Sequence, residues 1–333
     1  MKKSQKAKSP NASVAETAKQ LYESTSGPII TQLEELMVTG ELRLRWDAAP
    51  CNYITKNKYK GINLVIIAYM QMLDPSLTSK YWMTCKQANK IGHRVTKGAA
   101  STPVVRWVSK KYENEEIDKD GNKQVVVKSG RLFPRVFNVF NLTQTSAAEE
   151  EVRDVRTTES FDVILEKLKT IMHETDVKFL ETGNKACYSP LRHQIKMPPF
   201  CYFNGDTQEL KEQFYLSTLC HELAHSTMQK LRPAHYYGFI NQNPYEPISK
   251  ALYGKEEVVA EITATLLCAT LGIEKQVLPD HAAYIRGWLE DAKKESPLYF
   301  NTACKLASQA HDFLMSKIDP SYSSEEISND NED

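Results

Sequence analysis

No apolar run in this 333-residue sequence is longer than Leu64 to Met70, whereas about 20 such residues are needed for a helix to cross a bilayer. No membrane segment is expected. The lysines of the leading MKKSQKAKSPNAS are followed by no apolar stretch, so the pattern of a secretory signal is missing. The expected location is the cytoplasm. Cysteine occurs seven times, at 51, 85, 187, 201, 220, 268 and 304, an odd number with no CxxC pair. That excludes a disulfide framework and gives the cysteines no metal; free thiols in a reducing compartment are expected. Internal repeats are also absent, which removes solenoids and propellers from consideration.

The length allows two domains, each able to bury a core. The 41% hydrophobic and 25% charged fractions are those of an ordinary globular chain. Net charge is zero, with 42 basic and 42 acidic residues, but the balance is uneven along the chain. Residues 1–145 hold 23 Lys and Arg against 12 Asp and Glu, a net of +11; the remainder holds 19 against 30, a net of −11. A polyanion is the expected partner of the first half, and the second half has a different task.

The hydrophobic period divides the chain in the same place. Ser13 is placed to cap a helix through Leu21, which resumes after Gly27-Pro28 from Ile29 to Met37. A second helix is predicted over Ile62–Leu73, and a short one from Thr84 with Gly92 behind it. Residues 103–112, 123–128 and 132–140 have the β-branched and aromatic content of strands, with Asp120-Gly121 turning between the first two. Beyond the polar stretch around 141–160 come helices at 161–173, 209–230, 255–272, 280–293 and 298–317, with short strands near 187–188 and 194–197. The fold class expected is α+β in two domains. The boundaries read as a flexible 1–12, a first domain 13–145, a linker 146–160, a mainly helical second domain 161–318 with a small edge sheet, and a disordered acidic tail 319–333.

Within the second half, residues 218–228 read TLCHELAHSTM. Four residues apart on a helix, His221 and His225 share one face and can address a single ion. Glu222, one step round, is placed to reach a water on that ion as general base. A helix that follows, YGKEEVVAEITATLLC, puts Glu257 and Glu261 on one face among apolar neighbours. Buried carboxylates need a cation, so Glu257 is expected as third ligand to one zinc ion and Glu261 as the carboxylate that orients a ligating histidine. Glu256, turned by about 100°, is the weaker candidate. Cys220 is expected to be a packing residue and His193 a surface one. A donor for the developing oxyanion is sought among Tyr236, Tyr237 and Tyr253, with His235 and Tyr245 also between the two helices. The segment YSPLRHQIKMPPF ahead of the HExxH helix suits an edge strand that aligns an extended peptide.

In the first half, cations interleave with flat side chains: Arg43, Arg45 and Trp46; Lys56, Lys58, Tyr59 and Lys60; Tyr81, Trp82 and Lys86; Arg94 and Lys97; Arg106 and Trp107. Cations neutralise phosphates and aromatic rings stack on unpaired bases, the pattern of a single-strand binder. RWDAAPCNYITKNKYKGIN, YWMTCKQANKIGHRVTKG and FNVFNLTQT resemble the N-terminal domain of ArdC-type antirestriction proteins, related to TraC-type primases. ACYSPLRHQIKMPPF, TLCHELAHSTM and YGKEEVVAEITATLLCATLGI resemble the zincin-like metallopeptidase domain that follows it in that family. The resemblance covers roughly residues 30–290 and adds Asn63 and Gln87 to the DNA-binding expectations. It implies a single-stranded DNA-binding domain joined to a gluzincin-like peptidase of a mobile element, with a protein or DNA-bound peptide as substrate. The competing expectation is a non-catalytic protection or priming accessory whose zinc domain is structural or binds a partner; no acidic nucleotidyl-transfer motif supports priming.

Overall fold

A computed structural model of the chain describes residues 10–39, 41–42, 44, 46, 49–117, 123–148, 159–241, 250–275, 279–295 and 298–323. Helix α1 spans Pro10–Thr39 as one element with Pro28 inside it. The expected break at Gly27-Pro28 and the expected start at Ser13 are therefore both corrected, and residues 10–12 are helical. An interior proline costs about 3 kcal/mol. Continuity survives because Ile30, Leu33, Met37 and Val38, at helical spacing, are buried in one core, and tertiary burial rather than propensity decides most helices.

A four-stranded sheet follows, in the order β1 (Cys51–Asn52), β2 (Tyr81–Thr84), β4 (Lys123–Asn141), β3 (Thr102–Ile117). β3 and β4 form one long antiparallel hairpin with an irregularity between Ser109 and Lys111; the two strands expected at 123–128 and 132–140 are a single one. The Asp120-Gly121 turn lies outside the described residues. Helix α2 covers Ile62–Leu73, as the sequence predicts. Gly61 precedes it at φ 58 and ψ −138, a backbone conformation that favours glycine. Helix α3, Cys85–Lys90, starts on a capping box in which the Thr84 side chain accepts from Gln87 N–H and Gln87 reaches back.

The second half opens with α4 (Phe161–Glu174) and a three-stranded sheet ordered β5 (Lys178–Glu181), β7 (Gln194–Met197), β6 (Cys187–Ser189). In the segment expected to supply an edge, Gln194–Met197 is instead the central strand, and Cys187–Ser189 is the edge. Helices α5 (Gln208–Ser226), α6 (Met228–Leu231), α7 (Pro233–Ile240), α8 (Lys250–Leu271), α9 (Pro279–Glu295) and α10 (Tyr299–Met315) complete the chain. Pro320–Tyr322 form a 3-10 turn, which corrects the expectation that disorder begins at 319. The architecture is α+β, with the second domain mainly helical.

The apolar clusters show what the charge asymmetry hides. One joins α4, the small sheet, α5, α8 and α10; another joins α1 and α2 of the first half to Val258, Ile262, Leu266, Phe300 and Ala303 of α8 and α10. The halves share a hydrophobic core, and α8 contributes to both clusters. Among the described residues no helix is long and apolar enough to cross a membrane.

Candidate metal centre

α5 and α8 pack against each other and carry the expected constellation. His221 Nε2 lies 3.2 Å from His225 Nε2 and 3.3 Å from Glu257 Oε2, and His225 Nε2 lies 3.6 Å from the same oxygen. A point equidistant from atoms at those three spacings lies about 2 Å from each, and zinc takes nitrogen and oxygen ligands at ~2.0–2.2 Å. The donor set fits such an ion. It is the one grouping of three or more His, Cys, Asp or Glu with metal-ligand spacing among the described residues.

Each histidine is fixed from behind. His221 Nδ1 donates to Glu261 Oε2 at 3.1 Å, and Glu261 is ion-paired with the buried Lys275. The arrangement expected of Glu261 is therefore present. On the other side His225 Nδ1 donates to Glu256 Oε1 at 3.3 Å, and Glu256 also accepts from His235 Nδ1 at 2.7 Å and from Arg232 Nε and Nη2 at 2.8 and 2.6 Å. Glu256, set aside from sequence as the weaker candidate, is fully buried and holds the second histidine. Its one-step rotation, which takes it away from the ligand position, brings it to the far nitrogen of His225. Sequence did offer a signal: two adjacent glutamates in a buried helix need two cationic partners.

The charges follow from that packing. Burial favours neutral imidazole, but the hydrogen bonds and charges of Glu257 and Glu261 outweigh it and raise His221 well above the usual histidine range. His225, desolvated but facing Glu257 and Glu256, is raised to about 9. Glu256 and Glu261 lie below the carboxylate range: burial opposes ionisation, and the Arg232 and Lys275 cations overcome it. Glu222 differs, because burial raises its pKa and the nearby imidazoles only partly offset it. A carboxylate poised upward beside a cation site has the character of a general base.

The site opens into a cavity of 250 Å³ lined by Ala186, Cys187, Tyr188, Pro190, Met228, Phe239 and Tyr253 with the three ligands and Glu222. Of the four tyrosines, Tyr253 is the one at the cavity, where burial and the Glu257 carboxylate raise its pKa. Trp288 packs on the Tyr253 ring with centroids 5.6 Å apart. Tyr237 is exposed and meets Tyr236 edge-on, neither of them in the cavity lining, His235 serves Glu256, and Tyr245 is outside the described residues. His193 is not a ligand; it holds the Tyr188 hydroxyl at 2.7 Å and the Thr175 carbonyl at 2.9 Å. Cys220 is fully buried in the α5–α8 packing, as expected.

The nucleic-acid expectations divide differently. Trp46 and Trp82 are core residues, 5% and 0% exposed, which corrects their assignment as stacking platforms; an indole ring placed between apolar neighbours is indistinguishable by pattern from one offered to a base. Asn63 is a clamp whose side-chain amide bonds both the N–H and the carbonyl of Val105 at 2.8 and 2.7 Å. Gln87 is spent in the capping box, and Tyr59 packs on the shared core with its hydroxyl pushed up to about 12, mainly by burial. Lys60 pairs with Asp312 at 3.1 Å. Lys58 donates to the Ser321 carbonyl at 3.0 Å and lies over Tyr322. Lys56, Lys86, Arg94, Lys97 and Arg106 are exposed. Arg43 and Arg45 lie outside the described residues. Sequence pattern missed Tyr53, whose ring meets Tyr81 edge-on at 5.4 Å with Lys56 over both, and Arg135, directly across the hairpin from Arg106.

Helices bearing HExxH and a facing glutamate, beside a small sheet, define a zincin-like metallopeptidase domain. Residues 166–305 match the zincin-like metallopeptidase family MPTase-PolyVal, and residues 19–140 match the N-terminal domain of anti-restriction factor ArdC. The crystal structure of the antirestriction ArdC protein from the R388 plasmid, in its metal-free form, superposes with a TM-score of 0.63 at 25% identity, covering 89% of this chain and 97% of that one. The Mn(II)-bound form gives 0.61 at 24% identity, with 90% and 98% covered. An uncharacterized protein, y4eC of Sinorhizobium fredii (strain NBRC 101917 / NGR234), is 24% identical over 90% of this chain and 92% of its own length. DNA primase TraC of Escherichia coli is 28% identical over 91% of this chain, which spans only 28% of that primase. The chain matches ArdC over most of its length, with an ArdC N-terminal domain followed by a zincin-like metallopeptidase domain.

Proposed function

We propose that this chain is a single-stranded DNA-binding zinc metallopeptidase of a mobile element, acting in antirestriction from the cytoplasm. The observation that carries the proposal is the triangle of His221 Nε2, His225 Nε2 and Glu257 Oε2 with the buried carboxylate of Glu222 beside it. Two imidazoles and one carboxylate, each imidazole backed by its own carboxylate, suit zinc and leave a position open for chemistry. When bound, zinc supplies the positive charge that acidifies a water to a pKa near ~7 and polarises a carbonyl. Glu222 takes the proton from the attacking water and returns it to the leaving amine. Tyr253 is the donor proposed for the oxyanion, and the Cys187–Ser189 edge is the surface proposed to align an extended peptide.

For DNA, the exposed Lys56, Lys86, Arg94, Lys97 and Arg106 supply phosphate contacts. Arg106 opposite Arg135 supports this reading, because like charges directly across a hairpin are destabilising unless an anion lies between them. Trp107, 40% exposed, and the Tyr53–Tyr81 pair are the stacking surfaces in place of Trp46 and Trp82. The test is Glu222→Gln: zinc is retained, while hydrolysis of a DNA-associated protein substrate falls by at least about 10²-fold. Wild-type turnover in that variant overturns the peptidase assignment.

A further inference from the structure

A second cleft lies away from the metal centre. It has a volume of 690 Å³ and lies where the two halves meet, walled on one side by β1 and β2 and on the other by α4, the C-terminal ends of α8 and α10 and the turn after α10. Lys56, Lys58 and Lys80 enter it from the first half and Lys167 from α4, with the rings of Tyr81 and Tyr322 on its walls. Among the described residues, Asp319 and Asp312 act on Lys58, and Glu159 pairs with Lys167 at 2.5 Å. The volume lies within the ~300–1,000 Å³ of ligand clefts, and the chemistry is cationic with aromatic walls. Lys56 sits 4.3 Å from the Tyr81 centroid, and Lys58 sits 3.5 Å from that of Tyr322.

The cleft also continues the DNA surface. Tyr53, Tyr81 and Val95 pack on the small cluster of Met83, Ala88 and Leu142, so α3 with Lys86 and the Arg94–Lys97 loop adjoin the Tyr53–Tyr81 pair that borders the cleft. We infer that this interdomain cleft holds a nucleotide of a bound single strand, its phosphate on Lys56, Lys80 and Lys167 and its base against Tyr81 or Tyr322. The zincin-like domain thereby takes part in holding the DNA. The inference rests on the single-strand binding proposed above and extends it to residues of the second half, whose own net charge is −11. Lys58, engaged by the Ser321 carbonyl, holds the Tyr322 wall in place.

The test uses the full chain and a labelled oligothymidylate, with anisotropy measured across a salt series. Each phosphate contact to a single strand contributes about 0.7 to the slope of log affinity against log salt, or about fivefold in affinity at ~0.1 M salt. Lys167→Ala should lose about fivefold and flatten the slope by about 0.7. Glu159→Gln, which frees Lys167 of its counter-charge, should bind more tightly than wild type, a gain that a packing role for Lys167 does not produce. Thermal unfolding of both variants checks that the fold is kept; if Lys167→Ala is destabilised, Glu159→Gln and Tyr322→Ala decide. Wild-type binding with Lys167→Ala and Glu159→Gln both unchanged overturns the cleft assignment alone, whereas no binding by wild type overturns it together with the DNA reading. Competition with free thymidine monophosphate separates the two sources of the same chemistry. The strand assignment expects no displacement at concentrations where unlabelled strand displaces fully. Displacement that Lys167→Ala abolishes would make the cleft a free-nucleotide site and overturn the strand assignment.

Discussion

Replacing Arg232 by methionine should separate what holds the fold from what holds the metal. The Arg232 side chain is 2% exposed and donates to both oxygens of the fully buried Glu256, to Thr227 Oγ1 at 2.9 Å and to the Ala224 carbonyl at 3.3 Å. Methionine fills most of the volume but leaves the Glu256 carboxylate without its main counter-charge. Breaking one side of a buried pair costs about 3–5 kcal/mol. Replacing both sides by apolar groups is near neutral, so Arg232→Met with Glu256→Leu should recover most of the stability. Zinc affinity should not recover with it, because His225 has lost the carboxylate that orients its ring, a loss worth about 10–100-fold. Urea unfolding in chelator measures the first quantity, and competition with a chromophoric chelator measures the second. A single variant that loses under ~1 kcal/mol, or a double variant with wild-type zinc affinity, refutes this account of Glu256.

Trp82→Ala should destabilise by about 3–5 kcal/mol, as large-to-small changes in a packed core do, while the salt slope of DNA binding stays at the wild-type value; a flattened slope in folded protein would restore Trp82 to the DNA surface. Asn63→Ala removes both hydrogen bonds to Val105 and should cost about 1–3 kcal/mol in urea unfolding, again without a change in DNA affinity beyond that of the folded fraction. Asp312 sits below its ordinary range, because His311 and Lys60 overcome the effect of its burial. Its contribution is present above pH ~4 and lost as pH falls through the lowered value. Asp312→Asn should therefore shrink the fall in Tm between neutral and acid pH, and an unchanged profile would show that Lys60–Asp312 does not link the halves.

What the sequence made legible was local. Ile62–Leu73 carries its own apolar period and its own stop at Asp74-Pro75, and α3 carries its own capping box, so both appear where pattern places them. The metal site was legible for the same reason: His221 and His225, like Glu257 and Glu261, are related by one helical turn, a spacing that needs no tertiary information. Meeting of the two helices was inferred from buried charge and is present. Contacts between distant segments were illegible. The burial of Trp82, the path of α1 through Pro28 and the pairing of Glu256 with Arg232 depend on which surface faces them. So does the shared core, since the linker and opposite charges read as two independent bodies while Leu33 and Ile66 pack with Val259 and Phe300 in one cluster. The short strands β1, β2 and β5 are held by neighbours rather than by propensity.

Protein stripped with chelator, reloaded with zinc and crystallised should show, by anomalous scattering at the zinc edge, one peak per chain within ~2.0–2.2 Å of His221 Nε2, His225 Nε2 and a Glu257 oxygen, and no peak there in Glu257→Ala. A zinc-loaded crystal with no peak between α5 and α8, or with a peak that ignores Glu257, would contradict the three-ligand zinc site.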